Sequence, residues 1–498
     1  MVEAPAINDT RTETPAVDVA KLAGRGTIYI TGAKVWFLLS GWALHFVLAR
    51  LMSTDQYGLY QVVIGDVSIV NAVIVTATYQ TVSKYISQEE DKADAAKSKA
   101  LKLQMLVGGA VTLGLFALAP IIAASLGDSR LTSYFRLASL IPLSYSFYSV
   151  FTGYFNGQKK FLTQAALDMA YSTLKLVLIV ALVWLGYGVA GGVLGFALAA
   201  ACVLGLSAIV AGRGHKKGDV RFAELFRFQA YLILFTLVLN LLQKVDLNLI
   251  KALSSADAVV ASTNAGYYGA AMNVANITYQ VIISVTFVIF PLVSESTFAG
   301  DRRRTQSYIS NTLRYTMIIM ALTATLFSAN ASEVLRVIYR DEYQAGSSAL
   351  SVVAFGMLFF GLLYVITTII SASGRPTVSL IIGTVTLCTS ASLNAALIPT
   401  HGLVGAATAT TVAMIVGAIA GSAYLLVKFG ALLPMLSLAR ITLCSGFVYA
   451  ASFVVAPASR LAIIVQLGVL SLLYFGALVA SREIGRDDLA AVRKVLRK

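Results

Sequence analysis

The stretch Leu48-Ala49-Arg50-Leu51-Met52-Ser53-Thr54-Asp55-Gln56-Tyr57-Gly58-Leu59-Tyr60 decides the fold, because the chain contains its plan twice. It joins one hydrophobic run to the next through a short polar turn ending in Gly58-Leu59-Tyr60. The second run continues to Ser83 before a charged exit. The other copy starts at Ile250-Lys251-Ala252-Leu253-Ser254-Ser255, passes through Ala265-Gly266-Tyr267-Tyr268-Gly269, and runs on to Pro291 and Glu295. Gly58 and Gly266 lie 208 positions apart. Gly188-Val189-Ala190-Gly191 returns as Gly402-Leu403-Val404-Gly405 at offset 214, and Phe155-Asn156-Gly157 is answered by Ala372-Ser373-Gly374 at offset 217. Glycine and alanine abound in membrane helices, so each match alone carries little. Their shared order and near-constant spacing predict a duplicated unit.

Of the 498 residues, 58% are hydrophobic and only 12% charged, against about 25% charged in soluble domains. The expected class is an all-α polytopic membrane protein. Segments of bilayer-spanning length fall at approximately 28–49, 58–83, 103–126, 134–156, 162–186, 189–211, 227–249, 264–292, 307–329, 346–371, 376–398, 403–427, 436–456 and 460–480, about fourteen spans. Alternating ten-residue segments of a β-barrel are absent. Six spans per copy is an even number, so the copies share orientation as two parallel lobes, with two extra helices after them. The expected divisions are a disordered cytoplasmic tail 1–26, an N-lobe 27–212 and an amphipathic linker 213–226. A C-lobe 227–428, the added helices 429–481 and a basic tail 482–498 follow.

Lys and Arg concentrate in alternate loops: Lys92, Lys97, Lys99 and Lys102; Lys159-Lys160; Arg213 to Arg221; Arg302-Arg303-Arg304; Arg375; Lys428; and Arg482 to Lys498. Roughly 26 basic residues lie on this side and 7 on the other, a positive-inside bias that puts both termini in the cytoplasm. The net charge of +14 is thus mostly topology and does not indicate nucleic acid. In the last tail, Leu489, Val492 and Leu496 share a face beside Arg493, Lys494, Arg497 and Lys498, a pattern suited to an interfacial helix on anionic lipid.

Ionisable side chains inside spans are costly and face a cavity or a partner. In span 5, Gln164, Asp168, Tyr171, Ser172 and Lys175 form one stripe on the cytoplasmic half. Span 7 places Asn240, Lys244 and Asn248 on one face, with Asp246 pointing elsewhere. Span 8 places Gly269, Asn273, Asn276 and Gln280 together. Span 2 carries Asp66, Ser68 and Asn71, and span 1 carries Lys34 and His45. Some of these residues can act simply as interhelical glue. Arg50, Arg314 and Arg440, near span ends, read as snorkelling. Cys202, Cys388 and Cys444 read as small packing residues, and their spacing suggests neither a disulfide framework nor a metal site.

No GxxxxGK[ST], GxSxG or HExxH sequence occurs, and the outer loops are too short for a membrane glycosyltransferase or polymerase. The chain reads as a transporter without enzymatic chemistry or cofactor. With the pattern Phe46-Val47-Leu48-Ala49-Arg50-Leu51-Met52-Ser53-Thr54-Asp55-Gln56-Tyr57-Gly58-Leu59-Tyr60, the Gly-x-x-Gly entries to spans 6 and 12, and Lys244-Val245-Asp246-Leu247-Asn248-Leu249-Ile250, the chain resembles polysaccharide transport proteins. These are the Wzx-type flippases of the multidrug/oligosaccharidyl-lipid/polysaccharide (MOP) exporter superfamily. The resemblance covers about residues 27 to 480. It implies a MATE-like fold with a central cavity lined mainly by spans 1, 2, 7 and 8. It also implies translocation of a polyprenyl-pyrophosphate-linked glycan across a bacterial cytoplasmic (inner) membrane, with polysaccharide polymerase or export proteins as possible partners. Lipid II flippases and multidrug exporters are the alternatives within the superfamily. The first carry an Arg-Asp pair and the second an ion-binding Asp in span 1, where this chain has Gly41-Trp42-Ala43-Leu44-His45.

These readings give a candidate site. A pyrophosphate head of charge about −2 needs compensating cations to cross hydrocarbon. Lys34, Lys175 and Lys244 fall roughly 9, 20 and 26 Å from the inner surface at 1.5 Å per residue, a ladder that could pass the head along. Asn240, Asn248, Asn273, Asn276 and Gln280 are candidates for sugar hydroxyls. Asp168, then Asp66 and Asp246, are candidates for coupling to protons or sodium. The competing structural expectation pairs Lys175 with Asp168, and Lys244 with a neighbouring acid.

Overall fold

Hydrophobic runs separated by glycine-containing breaks fold as helices throughout the computed structural model, which describes residues 16–88, 92–212, 226, 229, 233, 237–238, 240–454 and 459–485. The first lobe comprises α1 (Ala16–Leu51), α2 (Thr54–Gln88), α3 (Ala93–Ser125), the short α4 (Leu131–Ala138), α5 (Leu140–Gly157), α6 (Phe161–Leu182) and α7 (Gly188–Ala211). A π-helical turn, Val183–Tyr187, joins α6 to α7. The second lobe has α8 (Val245–Leu253), α9 (Ala258–Phe298), α10 (Arg302–Ala329), the short α11 (Ala331–Ile338), a 3₁₀ turn Asp341–Gly346, α12 (Ser347–Ala372) and α13 (Pro376–Phe429). The added pair is α14 (Met435–Ser452) and α15 (Arg460–Ala480).

Among the described residues, nine helical runs are long and apolar enough to cross a membrane. Two of them, Phe161–Ala211 and Pro376–Phe429, each hold two expected spans, so the count is compatible with fourteen. Helix α1 starts at Ala16, ten residues inside the stretch read as a tail. The expected linker up to residue 225 and the tail from residue 486 lie outside the described residues.

The duplication is written in the backbone. Gly188 has φ 51°, ψ −132°, and Gly402 has φ 56°, ψ −130°, a conformation open essentially to glycine alone. Three residues on, a methyl on Gly191 would sit 2.9 Å from the Leu182 carbonyl oxygen, and one on Gly405 would sit 2.3 Å from that of Leu397. The third sequence match needs a shift of register. The left-handed residue of the first copy is Lys159 (φ 59°), and that of the second is Gly374 (φ 83°). The Lys159 N–H donates to Asn156 and the Lys160 N–H to Phe155; Gly374 and Arg375 donate likewise to Ser371 and Ile370. The offset is therefore 215 rather than 217. Side chains agree, since Asn156 Nδ2 donates to Gln164 Oε1 at 2.9 Å and Ser371 Oγ to Ser379 Oγ at 2.9 Å.

Within the first lobe α1 packs along α6, and α2 along α5; in the second, α9 and α13 pack on α12. The lobes meet where α2 crosses α9. There Gly58 lies against Gly266, the residue that repeats it: a methyl on Gly58 would fall 1.7 Å from the Ser262 carbonyl oxygen and 2.9 Å from Gly266 N. Two copies touching through their own equivalent residues is the signature of an axis of approximate two-fold symmetry. It runs along the membrane normal, as parallel repeats require.

Two smaller expectations are corrected. Arg314 and Arg440 do not snorkel: both turn to the buried Glu483, at 2.7 and 3.6 Å. Cys202 and Cys388 are exposed, and only Cys444 is packed inside.

Candidate functional site

One end of the molecule, where the α1–α2 and α3–α4 loops lie, is sealed by contacts between lobes. Arg130, in the loop between α3 and α4, donates to Asp55 at 3.0 Å and to Asp128 at 2.8 Å. The fully buried ammonium of Lys251, from the second lobe, lies 2.8 Å from Asp128 and 2.7 Å from Ser262 Oγ. Burial works to raise the Asp128 carboxyl, but hydrogen bonds from Arg130 and Lys251 and the charge of Lys251 outweigh it and hold the group at about 2. The α11–α12 connection closes over the same place. Thr54 donates to Glu342 at 2.8 Å, and Arg340 donates to the Met52 carbonyl at 2.8 Å. Beneath it Tyr57 meets Tyr343 edge-on, with centroids 5.8 Å apart. Its hydroxyl accepts from Gln61 and Asn273 and faces His45 Nδ1. Toward the other end of α2, Gln229 of the segment preceding α8 reaches the first lobe, bonding to Gln104 and Thr78.

Below the seal the first lobe encloses a cavity of about 350 Å³ bounded by α1, α2, α5, α6 and α7. Lys175 projects into it from α6. Its ammonium sits 4.8 Å from the centre of the Phe37 ring, 5.5 Å from Phe196 and 5.6 Å from Tyr171, and no carboxylate among the described residues pairs with it. Aromatic faces attract a cation by about 2 kcal/mol when desolvated, which eases but does not replace the lost hydration. His45, Ser68, Asn71 and Tyr145 complete the polar lining. Tyr145, Tyr148 and Tyr171 pack together beside it.

The expected Lys175–Asp168 pair is not made. Asp168 instead accepts from Tyr148 Oη and has Lys34 as its cationic neighbour, because α1 lies along α6 and brings Lys34 opposite it. Gln164, Tyr171, Ser172 and Lys175 of the α6 stripe are all buried, but only Tyr171 and Lys175 line the cavity, while Gln164 bonds to Asn156 and Asp168 to Tyr148. Lys34 itself is exposed.

The other candidates separate. Lys244 occupies a turn capping α8, so Asn240 and Asn248 do not share one unbroken helical face with it. Its stem lies 3.8 Å from where a methyl on Gly65 would sit, and its charge interacts with Asp246 and Asp66 without direct pairing. Asn248 donates to Asp66. Asp246 points into the second lobe, accepting from Tyr268 at 2.7 Å, Thr410 at 3.2 Å and the Leu247 N–H. Asn394 Nδ2 reaches Thr410 at 3.3 Å, and the Asn394 carbonyl oxygen is buried with no partner among the described residues. Asn273 is engaged with Tyr57, Asn276 keeps a buried amide oxygen with no partner among the described residues, and the Gln280 side chain lies outside the described residues. A second cavity of about 250 Å³ lies between α1 and α9 and is lined by Trp42, Ala43, Phe46, Val274 and Ile277, with His45 and Asn273 at its polar edge.

Two parallel helical lobes, a largely apolar chamber holding a buried lysine and an appended helical pair define a multi-pass membrane protein of the MOP exporter fold. The family model described as "Polysaccharide biosynthesis protein" matches residues 23–297, and the chain belongs to that family. It is similar to an uncharacterized membrane protein of Methanocaldococcus jannaschii, 27% identical over 146 residues, 29% of each chain. It is also similar to the probable low-salt glycan biosynthesis flippase Agl15 of Haloferax volcanii, 24% identical over 33% of this chain and 34% of the relative. The matched region thus spans about a third of the length of these curated relatives. Among solved structures, lipid II flippase MurJ in an inward closed conformation superposes with TM-score 0.76 at 16% identity, covering 92% of this chain and 99% of that one. A MOP superfamily transporter from Pyrococcus furiosus gives 0.61 at 14% identity, over 82% and 96%. At such identities the likeness establishes the fold.

Proposed function

We propose that the protein carries a polyprenyl-pyrophosphate-linked oligosaccharide from the cytoplasmic to the outer leaflet of the cytoplasmic membrane by alternating access, with both termini cytoplasmic. The bodies that rock are the lobes at 27–212 and 227–428. The observation that carries this reading is Lys175: a buried ammonium in a largely apolar chamber, with rings around it and no acid beside it among the described residues. A buried unpaired charge is among the costliest features a protein can keep, and an anionic head group would supply the missing partner. A lysine suits a passing phosphate, because a point charge on a flexible stem releases its ligand more readily than an arginine fork. Lys34 and Lys244, each near a carboxylate, would hand the head in and out. Asn240, Asn248, Asn273, Asn276 and Gln280 would meet sugar hydroxyls. The apolar cavity between α1 and α9 suits the polyprenyl chain, keeping it in contact with lipid while the head crosses. The partial likeness to a relative whose name specifies glycan flipping supports the same substrate class.

Coupling is assigned to Asp246 in preference to Asp168 and Asp66. Asp246, Thr410 and the unpartnered Asn394 oxygen gather oxygen donors of the kind a hard monovalent cation takes, and sodium is the expected ion. One experiment tests both parts: flipping of lipid-linked oligosaccharide in proteoliposomes with and without a sodium gradient. Lys175→Gln should insert normally yet flip at least tenfold more slowly under either condition. Asp246→Asn should lose only the response to the gradient. Wild-type rates in a folded Lys175→Gln variant would rule the head-group reading out.

A further inference from the structure

The same chamber holds one group that neither the ion pairs nor the fold explains. Asn71, on α2, is only 6% exposed, and neither its amide nitrogen nor its amide oxygen has a hydrogen-bond partner among the described residues. Each buried polar atom left without a partner costs about 1–3 kcal/mol, and native proteins leave few of them. A leucine of similar size would fill the space at no such cost. The residue lines the cavity into which Lys175 projects. The second lobe offers no duplicate of this arrangement, since the residue 215 positions after Lys175 is the buried Ser390.

An asparagine with both ends open offers one donor and one acceptor a short distance apart. Its natural complement is a pair of hydroxyls on adjacent ring carbons, one accepting from the amide NH₂ and the other donating to the amide oxygen. We propose that Asn71 is a specificity-determining residue that reads a vicinal hydroxyl pair on the sugar bonded to the phosphate held by Lys175. This rests on the head-group reading of the chamber and adds to it what the chamber selects. Size agrees: about 350 Å³ is the liquid volume of about a dozen waters, room for one sugar ring with its phosphate. The first sugar is therefore inspected here, and the rest of the glycan lies elsewhere.

The test uses the full-length protein in nanodiscs, with α-D-glucose 1-phosphate and inorganic phosphate as probes and titration calorimetry as the readout. The wild type should bind the sugar phosphate at least tenfold more tightly than phosphate. Asn71→Leu should abolish that preference, leave phosphate affinity unchanged, and leave the melting temperature equal or higher. Lys175→Gln should lose both probes. If Asn71→Leu keeps the preference, or melts several degrees lower as a structural residue would, the proposal is overturned while the head-group reading stands. If Lys175→Gln binds phosphate as the wild type does, the head-group reading falls and takes this one with it.

Discussion

The two lobes share a backbone and differ in what they bury. At offset 215, Gln164, Asp168, Tyr171 and Lys175 of the first lobe face Ser379, Gly383, Thr386 and Ser390 of the second. Of the first set, Tyr171 and Lys175 line the chamber, while Gln164 and Asp168 bond to Asn156 and Tyr148 beside it. The second is packed shut: Thr386 and Ser390 are fully buried, and Gly417 lets α13 close against Thr386, where a methyl would come within 2.3 Å of its hydroxyl. The second lobe's own buried charge, Asp246, is surrounded by donors instead. The duplication keeps the places where the chain must break or touch, while the helix faces between them differ, one lobe burying a lysine and the other an aspartate.

The most severe way to break this comparison is at the crossing of the copies. Gly58→Val should abolish accumulation of folded protein, since its side chain has only the Ser262 and Gly266 backbone to enter. Gly41→Ala, where nothing lies within 4 Å, should be silent in the same fluorescence-detected chromatography. Next in size is the clamp around Asp128. Asp128→Asn strands the buried Lys251 ammonium, a loss of about 3–5 kcal/mol for a broken buried pair, which should appear as faster hydrogen exchange at the α3–α4 loop. Its pH dependence has a definite sign. The carboxyl sits at about 2 when folded and near 3.9 when unfolded, so its contribution is complete above that higher value and fades as pH falls through about 2. Exchange at this loop should therefore match at pH 7 and pH 5, after correction for intrinsic rates.

The smallest effect concerns the turn shared by the repeats. Lys159 holds a left-handed conformation that Gly374 holds in the other lobe. Lys159→Gly should change stability by about 1 kcal/mol or less, relief of strain offsetting added chain entropy. Gly374→Lys should cost about 1–2 kcal/mol, a difference measurable by thermal melts in one detergent.

Much of the architecture was legible because hydropathy and glycine punctuation are local signals. Gly188 and Gly402 could be paired from sequence because only glycine fits their backbone. Lys159 could not be paired with Gly374, since a lysine announces no left-handed turn, and the match slipped to Gly157. The site was less legible for a related reason. Lys175 and Asp168 share one helical face, so sequence spacing suggested a pair, whereas the partner of Asp168 comes from α1 and depends on how α1 lies along α6. Asn71 was visible as one polar residue among several on its span. Its distinction is the absence of partners, which no spacing encodes. Arg314 and Arg440 looked like span-end cations until the chain after α15 brought Glu483 between them.

That carboxylate also decides what moves with what. Glu483 is gripped by Arg314 of α10 and Arg440 of α14, so the appended pair is riveted to the second lobe. In the alternating-access cycle proposed above, α14 and α15 would swing as outriggers of the second lobe, adding breadth and drag to one side only. The hull of the molecule is therefore lopsided, and a lipid carried past it as proposed would meet a broad flank on the side of the second lobe and a narrower one on the side of the first.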